Sequence, residues 1–350
     1  MDKLYRIIDA NVNRAAEGLR VLEDLARFGL NEKSMSAKLK VLRHDIRKGL
    51  MEELPACLEQ RDSKNDVGHA VSKELRVDEK GSMIELVTAN FKRLQEALRS
   101  IEETLKLMNR RELSKKYEAY RFEAYNLEKE YFLLNCRYSK MKKLDTDLYC
   151  ITAEEFSKGR SNLEVVKAML NAGIKVIQYR EKDKKQLAKY KECVVLREMT
   201  RAAGAAFIIN DDIHIAMLVD ADGVHIGQDD LPIEKVRELV GDKMIIGLST
   251  HSPEQAQDAL KRGADYIGVG PIFKTNTKKD VCDPVGLEYL EYAAKNVPIP
   301  FVAIGGIKEH NMLEVSARGA KCMAMVTEIV GAEDIEGKIA SIRKKLRNKE

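Results

Sequence analysis

FIINDDIHIAMLVDADGVHIGQDD, running from Phe207 to Asp230, decides the fold of the larger part of this chain. Two short apolar runs, Phe207–Ile209 and Val224–Ile226, each end in acidic residues, with a helical pattern over Ile213–Val219 between them. If the two runs are neighbouring strands, Asp211 and Asp230 meet at one rim. Two hard oxygen ligands side by side suit Mg²⁺, which keeps several waters and bridges to substrate phosphates. The stretch therefore reads as part of an enzyme acting on a phosphorylated substrate.

The same alternation continues on both sides. Strand candidates are Leu148–Thr152, Lys175–Arg180, Ala206–Asn210, Gly223–Gly227, Ile245–Ser249, Tyr266–Gly270, Phe301–Gly305 and Lys321–Thr327. Helical periodicity follows each, over Leu163–Ala172, Lys185–Ala203, Ile213–Val219, Ile233–Val240, Pro253–Arg262, Leu287–Lys295, His310–Arg318 and Asp334–Leu346. Eight β-then-α units predict an α/β fold, a (β/α)8 TIM barrel over residues 141–350. An open doubly wound sheet competes with it, but rarely needs eight units.

Residues 1–140 show helical spacing and almost no strand signal. Ala10–Phe28, Met35–Leu54, Met83–Met108 and Leu113–Cys136 carry apolar residues at three- and four-residue intervals, punctuated by Pro55 and Gly81. Arg61–His69 is too polar to be core, and Ser139–Asp147 reads as a basic linker without an apolar stripe. An internal repeat is visible. Ala10, Asn11, Arg14, Glu17, Leu19, Arg20 and Glu23 return at a constant offset as Ala89, Asn90, Arg93, Glu96, Leu98, Arg99 and Glu102. Two copies suggest two similar helices about a pseudo-twofold axis rather than a solenoid.

Composition narrows the class. The chain has 350 residues, with 60 Lys+Arg against 56 Asp+Glu. Its small positive excess lies in 1–140 and forms no basic stripe of the kind nucleic acid needs. The cysteines (Cys57, Cys136, Cys150, Cys193, Cys282, Cys322) are scattered and contain no C-x-x-C pair, against a disulfide framework or a zinc site. There is no apolar signal region and no apolar run long enough for a membrane span. The expectation is a soluble, reducing, cytoplasmic protein with no nucleic-acid and no membrane partner.

The unusual residues of the barrel half gather at the ends of strands, where such barrels keep their chemistry. Arg180 and Lys182 offer a fork and a point charge to phosphate oxygens. Asp211 and Asp230 are candidates for the metal, and Lys278 adds charge opposite a leaving anion. Thr275 and Thr277 put hydroxyls on a loop long enough to fold over a ligand. Gly305 and Gly306 let backbone N–H groups approach a phosphate closely. Two anion sites follow, one charge-rich and metal-assisted, one glycine-lined at strands seven and eight. Two phosphorylated small molecules joined at the centre, with diphosphate leaving one of them, fit this arrangement.

Plainer readings stand beside these. Asp212 and Asp229 suit helix starts or support of the metal site, Asp222 a turn, and Glu181 a rim ion pair. Lys184 and Lys279 read as solvated, His214 as structural, and His225 as able to face the barrel interior. His251 is balanced between a cap neighbour and a pocket residue.

With these motifs in place, the segment from about Leu148 to Asp334 resembles the thiamine-phosphate synthase family. The resemblance is carried by QYREK (178–182), NDD (210–212), ADGVHIGQDD (221–230), GLSTH (247–251), GADYIGVGPIFKTNTK (263–278), D-P-x-G-L (283–287) and AIGGI (303–307). It implies a TIM barrel joining hydroxymethylpyrimidine diphosphate to thiazole phosphate, or its carboxylated form, with Mg²⁺ as cofactor. It implies that Gln178, Tyr179, Arg180, Glu181, Lys182, Asn210, Ser249 and Lys278 bind the pyrimidine diphosphate. Arg180, Lys182, Ser249 and Lys278 are then the catalytic contacts. Asp211 and Asp230 would bind the metal. Thr275, Asn276, Thr277, Gly306, Val326 and Thr327 would bind the thiazole phosphate. Ala153 departs from the Asp that many members carry.

The helical half, through ANVNRAAEGLRVLEDLARF, LRHDIR (42–47) and ANFKRLQEALRSIEE, resembles a domain fused before some of these synthases and assigned as a hydroxymethylpyrimidine phosphate kinase. It has no P-loop motif. Asn11, Arg14, Glu17, Arg20, Asn90, Arg93, Glu96 and Arg99 are candidates for a charged pocket taking ATP or the pyrimidine phosphate, against a plain salt-bridged helix face. A thiazole-tautomerase-like barrel with an oligomerisation module is the rival reading, and a homo-oligomer is left open.

Overall fold

A computed structural model of the protein describes residues 2–62, 81–277 and 282–348. The chain divides into two compact units, Met1–Asn135 and Cys136–Glu350. Among the described residues, no helix is long and apolar enough to cross a membrane.

The first unit is helical: α1 (Asp2–Asp24), α2 (Lys33–Lys48), a short α3 (Leu54–Glu59), α4 (Met83–Leu107) and most of α5 (Arg111–Lys142). The expected helix over Met35–Leu54 stops at Lys48, and Pro55 opens α3 instead of merely ending its predecessor, as suits a residue without a backbone donor. The expected linker Ser139–Asp147 is helical as far as Lys142. There Met141 packs on the barrel core beside buried Leu144, which gives these residues apolar anchors despite their charge. Ser82 caps α4 by accepting the Glu85 N–H.

The repeat lies on α1 and α4, which pack along each other. A Cβ on Gly18 would sit 3.2 Å from the Asn90 carbonyl oxygen, so this point of approach leaves little room for a side chain. Equivalent positions behave alike. Asn11 and Asn90 are buried, and each donates its amide to the carbonyl four residues earlier, Ile7 and Leu86, at 2.8 Å. Glu23 and Glu102 are buried too. Glu23 accepts Arg43 of α2 at 2.9 Å and Glu102 accepts Arg121 of α5 at 3.1 Å. Burial alone would raise the Glu102 carboxyl, yet hydrogen bonds from Lys106 and Arg121 hold it below its ordinary value. The charged pocket offered as one reading is not what these contacts describe: Arg14, Glu17, Arg93 and Glu96 are exposed. Arg20 and Arg99 pair along their own helices with Asp24 and Glu103.

The second unit holds eight parallel strands in the order β1 to β8: Cys150–Ile151, Val176–Tyr179, Ala206–Asn210, Gly223–Ile226, Ile245–Thr250, Tyr266–Val269, Phe301–Ile304 and Met323–Ala324. A bridge between Leu148 and Met323 brings the last strand back to the first, so the sheet is a barrel. Its helices are α6 (Asn162–Asn171), α7 (Gln186–Ala202), α8 (Ile213–Leu218), α9 (Ile233–Val240), α10 (Pro253–Lys261), α11 (Gly286–Asn296), α12 (Met312–Ala317), α13 (Val326–Val330) and α14 (Ile335–Arg347). Strand alternation sorts the side chains. Ile177, Phe207, Ile209, Val224, Ile246 and Ile267 pack under the helices, while Ile151, Val176, Ile208, Tyr266 and Val302 form the separate cluster inside the barrel.

Strand eight is shorter than expected. Lys321–Thr327 reads as a strand because it is apolar and ends in β-branched residues, but only Met323–Ala324 pairs. Val326 and Thr327 open a helix instead, which buries Ile329 and Val330 against the outer layer.

The opposite rim is braced by a recurring device. Asp222 and Asp265 each follow an alanine just before a strand. Each carboxylate takes an N–H of the preceding strand, Phe207 at 2.9 Å and Ile246 at 2.8 Å. Each also takes an arginine from the helix that leads into that preceding strand, Arg197 of α7 at 2.7 Å and Arg237 of α9 at 2.5 Å. Asp222 is thus a brace between strand and helix as well as a turn residue.

Candidate active site

The ends of the strands surround a cavity of about 730 Å³, ample for more than one small ligand. Strand period explains what enters it. Along QYREK, Gln178, Arg180 and Lys182 line the cavity. Tyr179 and Glu181, expected among the pyrimidine-diphosphate residues, do not. Tyr179 is buried under the helices and donates its phenol to Glu192 of α7 at 2.6 Å. Glu181 accepts the Glu154 N–H at 3.0 Å, and burial raises its carboxyl. Lys184 is held between Glu154 and Glu192, so the solvated reading of it is corrected. Lys278 and Lys279 lie outside the described residues.

Asp211 stands at the turn after β3 with φ +59°, a left-handed conformation Asp tolerates better than most residues. Its N–H donates to the His225 carbonyl at 3.0 Å. Asp230 closes the next turn by accepting the Gly227 N–H at 2.6 Å. The two carboxylates lie side by side. Burial first, then the negative charge of Asp230, push the Asp211 carboxyl up to about 6. The Lys182 ammonium, 3.6 Å from Asp211, pulls the other way. Two hard oxygen donors that repel each other across the mouth of a cavity fit a divalent cation, which would relieve the repulsion. Asp212 turns away to Lys189 at 2.9 Å, and His214 bonds Gln186 at 2.9 Å. His251 lines the cavity with Nδ1 on the Gly270 carbonyl.

Across the cavity, Gly305 and Gly306 have φ of +97° and +66°. A Cβ on Gly305 would lie 2.4 Å from Pro271, and one on Gly306 2.7 Å from the Lys274 carbonyl. The glycines are therefore needed to let the loop after β6 close on the end of β7. Thr275, Asn276, Thr277, Gly306, Val326 and Thr327 all line this side, and Asn210 and Ser249 also reach the cavity. Several lining residues carried no expectation. Lys308 donates to Thr327 Oγ1 at 2.6 Å, and Asn311 donates to the Gly306 carbonyl at 3.1 Å. Their signal was a cation and an amide just after the glycine pair. Tyr149 and Tyr266, also in the lining, could have been found from strand phase, since Tyr266 is two residues before Gly268.

A closed parallel barrel with paired carboxylates and several cations at one rim, facing a glycine-lined cradle, defines an enzyme of phosphorylated small molecules. Residues 148–329 match the thiamine monophosphate synthase family, and residues 6–130 match the ThiD2 family. A thiamine-phosphate synthase of Pelotomaculum thermopropionicum is 69% identical over 207 residues, 59% of this chain and 95% of its own length. One of Nostoc punctiforme is 39% identical over 330 residues, 94% of this chain and 90% of its own, so it spans both units. A solved thiamine phosphate pyrophosphorylase of Pyrococcus furiosus superposes with a TM-score of 0.54 at 36% identity, covering 59% of this chain and 98% of that one. The chain belongs to the thiamine monophosphate synthase family, and it catalyses formation of thiamine phosphate.

Proposed function

We propose that the barrel joins hydroxymethylpyrimidine diphosphate to thiazole phosphate with Mg²⁺ held by Asp211 and Asp230. The observation that carries this is the crowding of those two carboxylates beside Lys182, on the cavity that also holds the glycine pair. Gln178, Arg180, Lys182, Asn210 and Ser249 bind the pyrimidine diphosphate. Thr275, Asn276, Thr277, Gly306, Val326 and Thr327 bind the thiazole phosphate. When bound, the ion supplies neutralising charge for the diphosphate. Arg180 and Lys182 stabilise the charge that develops as the pyrimidine methylene–oxygen bond breaks, and the cavity aligns the thiazole nitrogen to capture the methyl cation. No side chain acts as nucleophile. The test is diphosphate release from the two purified substrates, with and without Mg²⁺; release at an equal rate in chelator would reject the metal assignment.

The titration of Asp211 gives a second check. Its folded carboxyl titrates near 6, against about 3.9 in an unfolded chain. Within that window the folded chain holds a proton that the unfolded chain has released. Stability of the metal-free protein should therefore fall as pH rises through it. The cation must displace that proton, so apparent Mg²⁺ affinity is expected to weaken about tenfold per pH unit below 6. Calorimetric titration at pH 5, 6 and 7 measures this, and a flat affinity would contradict it.

For residues 1–140 we propose a kinase that phosphorylates hydroxymethylpyrimidine phosphate from ATP, making the substrate of the barrel. The match to the ThiD2 family over 6–130 and a relative spanning both units support this. Full-length protein given the pyrimidine monophosphate, ATP, Mg²⁺ and thiazole phosphate should form thiamine phosphate. Thiamine phosphate only from the preformed diphosphate would reject the kinase and favour an oligomerisation module.

A further inference from the structure

Five side chains join across the barrel interior in one unbroken chain of hydrogen bonds. Gln178 donates Nε2 to the Tyr149 hydroxyl at 2.9 Å, and that hydroxyl meets the Tyr266 hydroxyl at 2.8 Å. Tyr266 meets His225 Nδ1 at 3.0 Å, and His225 Nε2 meets Ser249 Oγ at 3.0 Å. The two ends, Gln178 and Ser249, and the three members between them all line the cavity.

The direction of the chain follows from counting protons. Burial pushes both phenols well above their ordinary range, so each keeps its proton and has one to give. Tyr149 accepts from Gln178, and among the described residues the acceptor within reach of its own proton is the Tyr266 hydroxyl. Tyr266 then gives its proton to His225 Nδ1, which must be bare. With Nδ1 bare, the ring carries its proton on Nε2 and donates it to Ser249. The Gln178 carbonyl is left to accept from a ligand, and the Ser249 hydroxyl hydrogen is left to donate to one.

The barrel makes room for this chain at a specific place. A Cβ on Gly247 would fall 2.1 Å from the Tyr266 ring and 2.5 Å from His225 Nδ1. The rings of His225 and Tyr266 lie 5.4 Å apart above that notch.

We propose that Tyr149, Tyr266 and His225 are positioning residues that impose one hydrogen-bond polarity on Gln178 and Ser249, and so select an aminopyrimidine over its oxo analogue. An aminopyrimidine edge offers an exocyclic N–H donor beside a ring-nitrogen acceptor, which matches an acceptor and a donor from the protein. The oxo analogue offers the reverse order. Its binding would leave buried polar groups facing like partners, the circumstance in which hydrogen-bonding sites discriminate strongly. The inference rests on the placement of the pyrimidine diphosphate at Gln178 and Ser249 given above.

The test uses the full chain and two probes, the aminopyrimidine diphosphate and its 4-oxo counterpart. Tyr266→Phe keeps the ring in its notch and cuts the chain twice. It should lower the amino-over-oxo preference in kcat/KM at least about tenfold, mainly through KM for the pyrimidine, with KM for thiazole phosphate unchanged. Equal falls for both probes, with the preference intact, would overturn the proposal and leave Tyr266 a packing residue. Should the variant fail to fold, ¹⁵N resonances of His225 in the unsubstituted protein decide: a neutral ring protonated at Nε2 supports the relay, and a proton on Nδ1 overturns it. Failure of the underlying placement looks different. In that case Gln178→Ala and Ser249→Ala would raise KM for thiazole phosphate and leave KM for the pyrimidine alone.

Discussion

Asp211→Asn should cut turnover by about 10³-fold at saturating Mg²⁺ while leaving the barrel folded. That corresponds to ~4 kcal/mol of lost transition-state stabilisation, the scale expected when a preorganised electrostatic group is removed. Asparagine is the informative replacement, because the residue sits at φ +59° and asparagine tolerates that backbone where alanine adds strain. The fold should not suffer. In the metal-free protein the Asp211 carboxylate is crowded by Asp230 and half withdrawn from water, so removing its charge relieves a cost. Melting in chelator should show a midpoint equal to or above that of the unsubstituted chain. Wild-type kcat in the variant would remove Asp211 from the metal site; a collapsed melting curve would say the residue serves the fold instead.

The largest expected effect on stability lies at the other rim, in Asp222→Ala. Asp222 and Arg197 are both buried and lie 2.7 Å apart. Truncating the acid leaves a guanidinium without its counter-charge and the Phe207 N–H without its acceptor. Breaking one side of a buried pair typically costs about 3–5 kcal/mol, a large share of the ~5–15 kcal/mol that holds a domain together. The urea midpoint of the barrel transition should drop accordingly, and Asp222→Ala with Arg197→Met should recover part of the loss. A shift below about 0.5 kcal/mol would mean that water serves Arg197 as well as the carboxylate does. Glu102 is buried more completely, yet Arg99 and Lys106 among its partners stand half in solvent and could return to water. Its truncation should therefore cost less than that of Asp222.

Much of this architecture is legible in the sequence. Eight apolar runs alternating with helical periodicity specify a closed parallel barrel, because each run and each amphipathic stripe must bury against the other. Acids and glycines at strand ends then fall on one rim, which is why Asp211, Asp230 and Gly306 read as candidates in the sequence. Tyr179 and Glu181 depart from the expected pyrimidine-diphosphate set because a strand sends neighbours within a contiguous motif to opposite faces. The pairing of Lys184 is not legible in the sequence because its partners, Glu154 and Glu192, come from separate segments. The Tyr149–Tyr266 contact joins the approach to the first strand with the sixth, and only the register of a closed barrel brings them together. In the helical unit the repeat revealed matching helices. It did not reveal that Glu23 and Glu102 turn inward to Arg43 and Arg121 while Arg14 and Arg93 stay outside.

The notch at Gly247 ties three distant codons into a single heritable unit. While the ring at 266 is present, any side chain at 247 collides with it, so drift at 247 is closed. A small residue at 266 removes only part of the obstruction, because His225 Nδ1 still lies 2.5 Å from that Cβ, so alanine at 247 stays costly until 225 changes as well. Positions 225, 247 and 266 are thus inherited as a set, a constraint written into the diameter of the barrel.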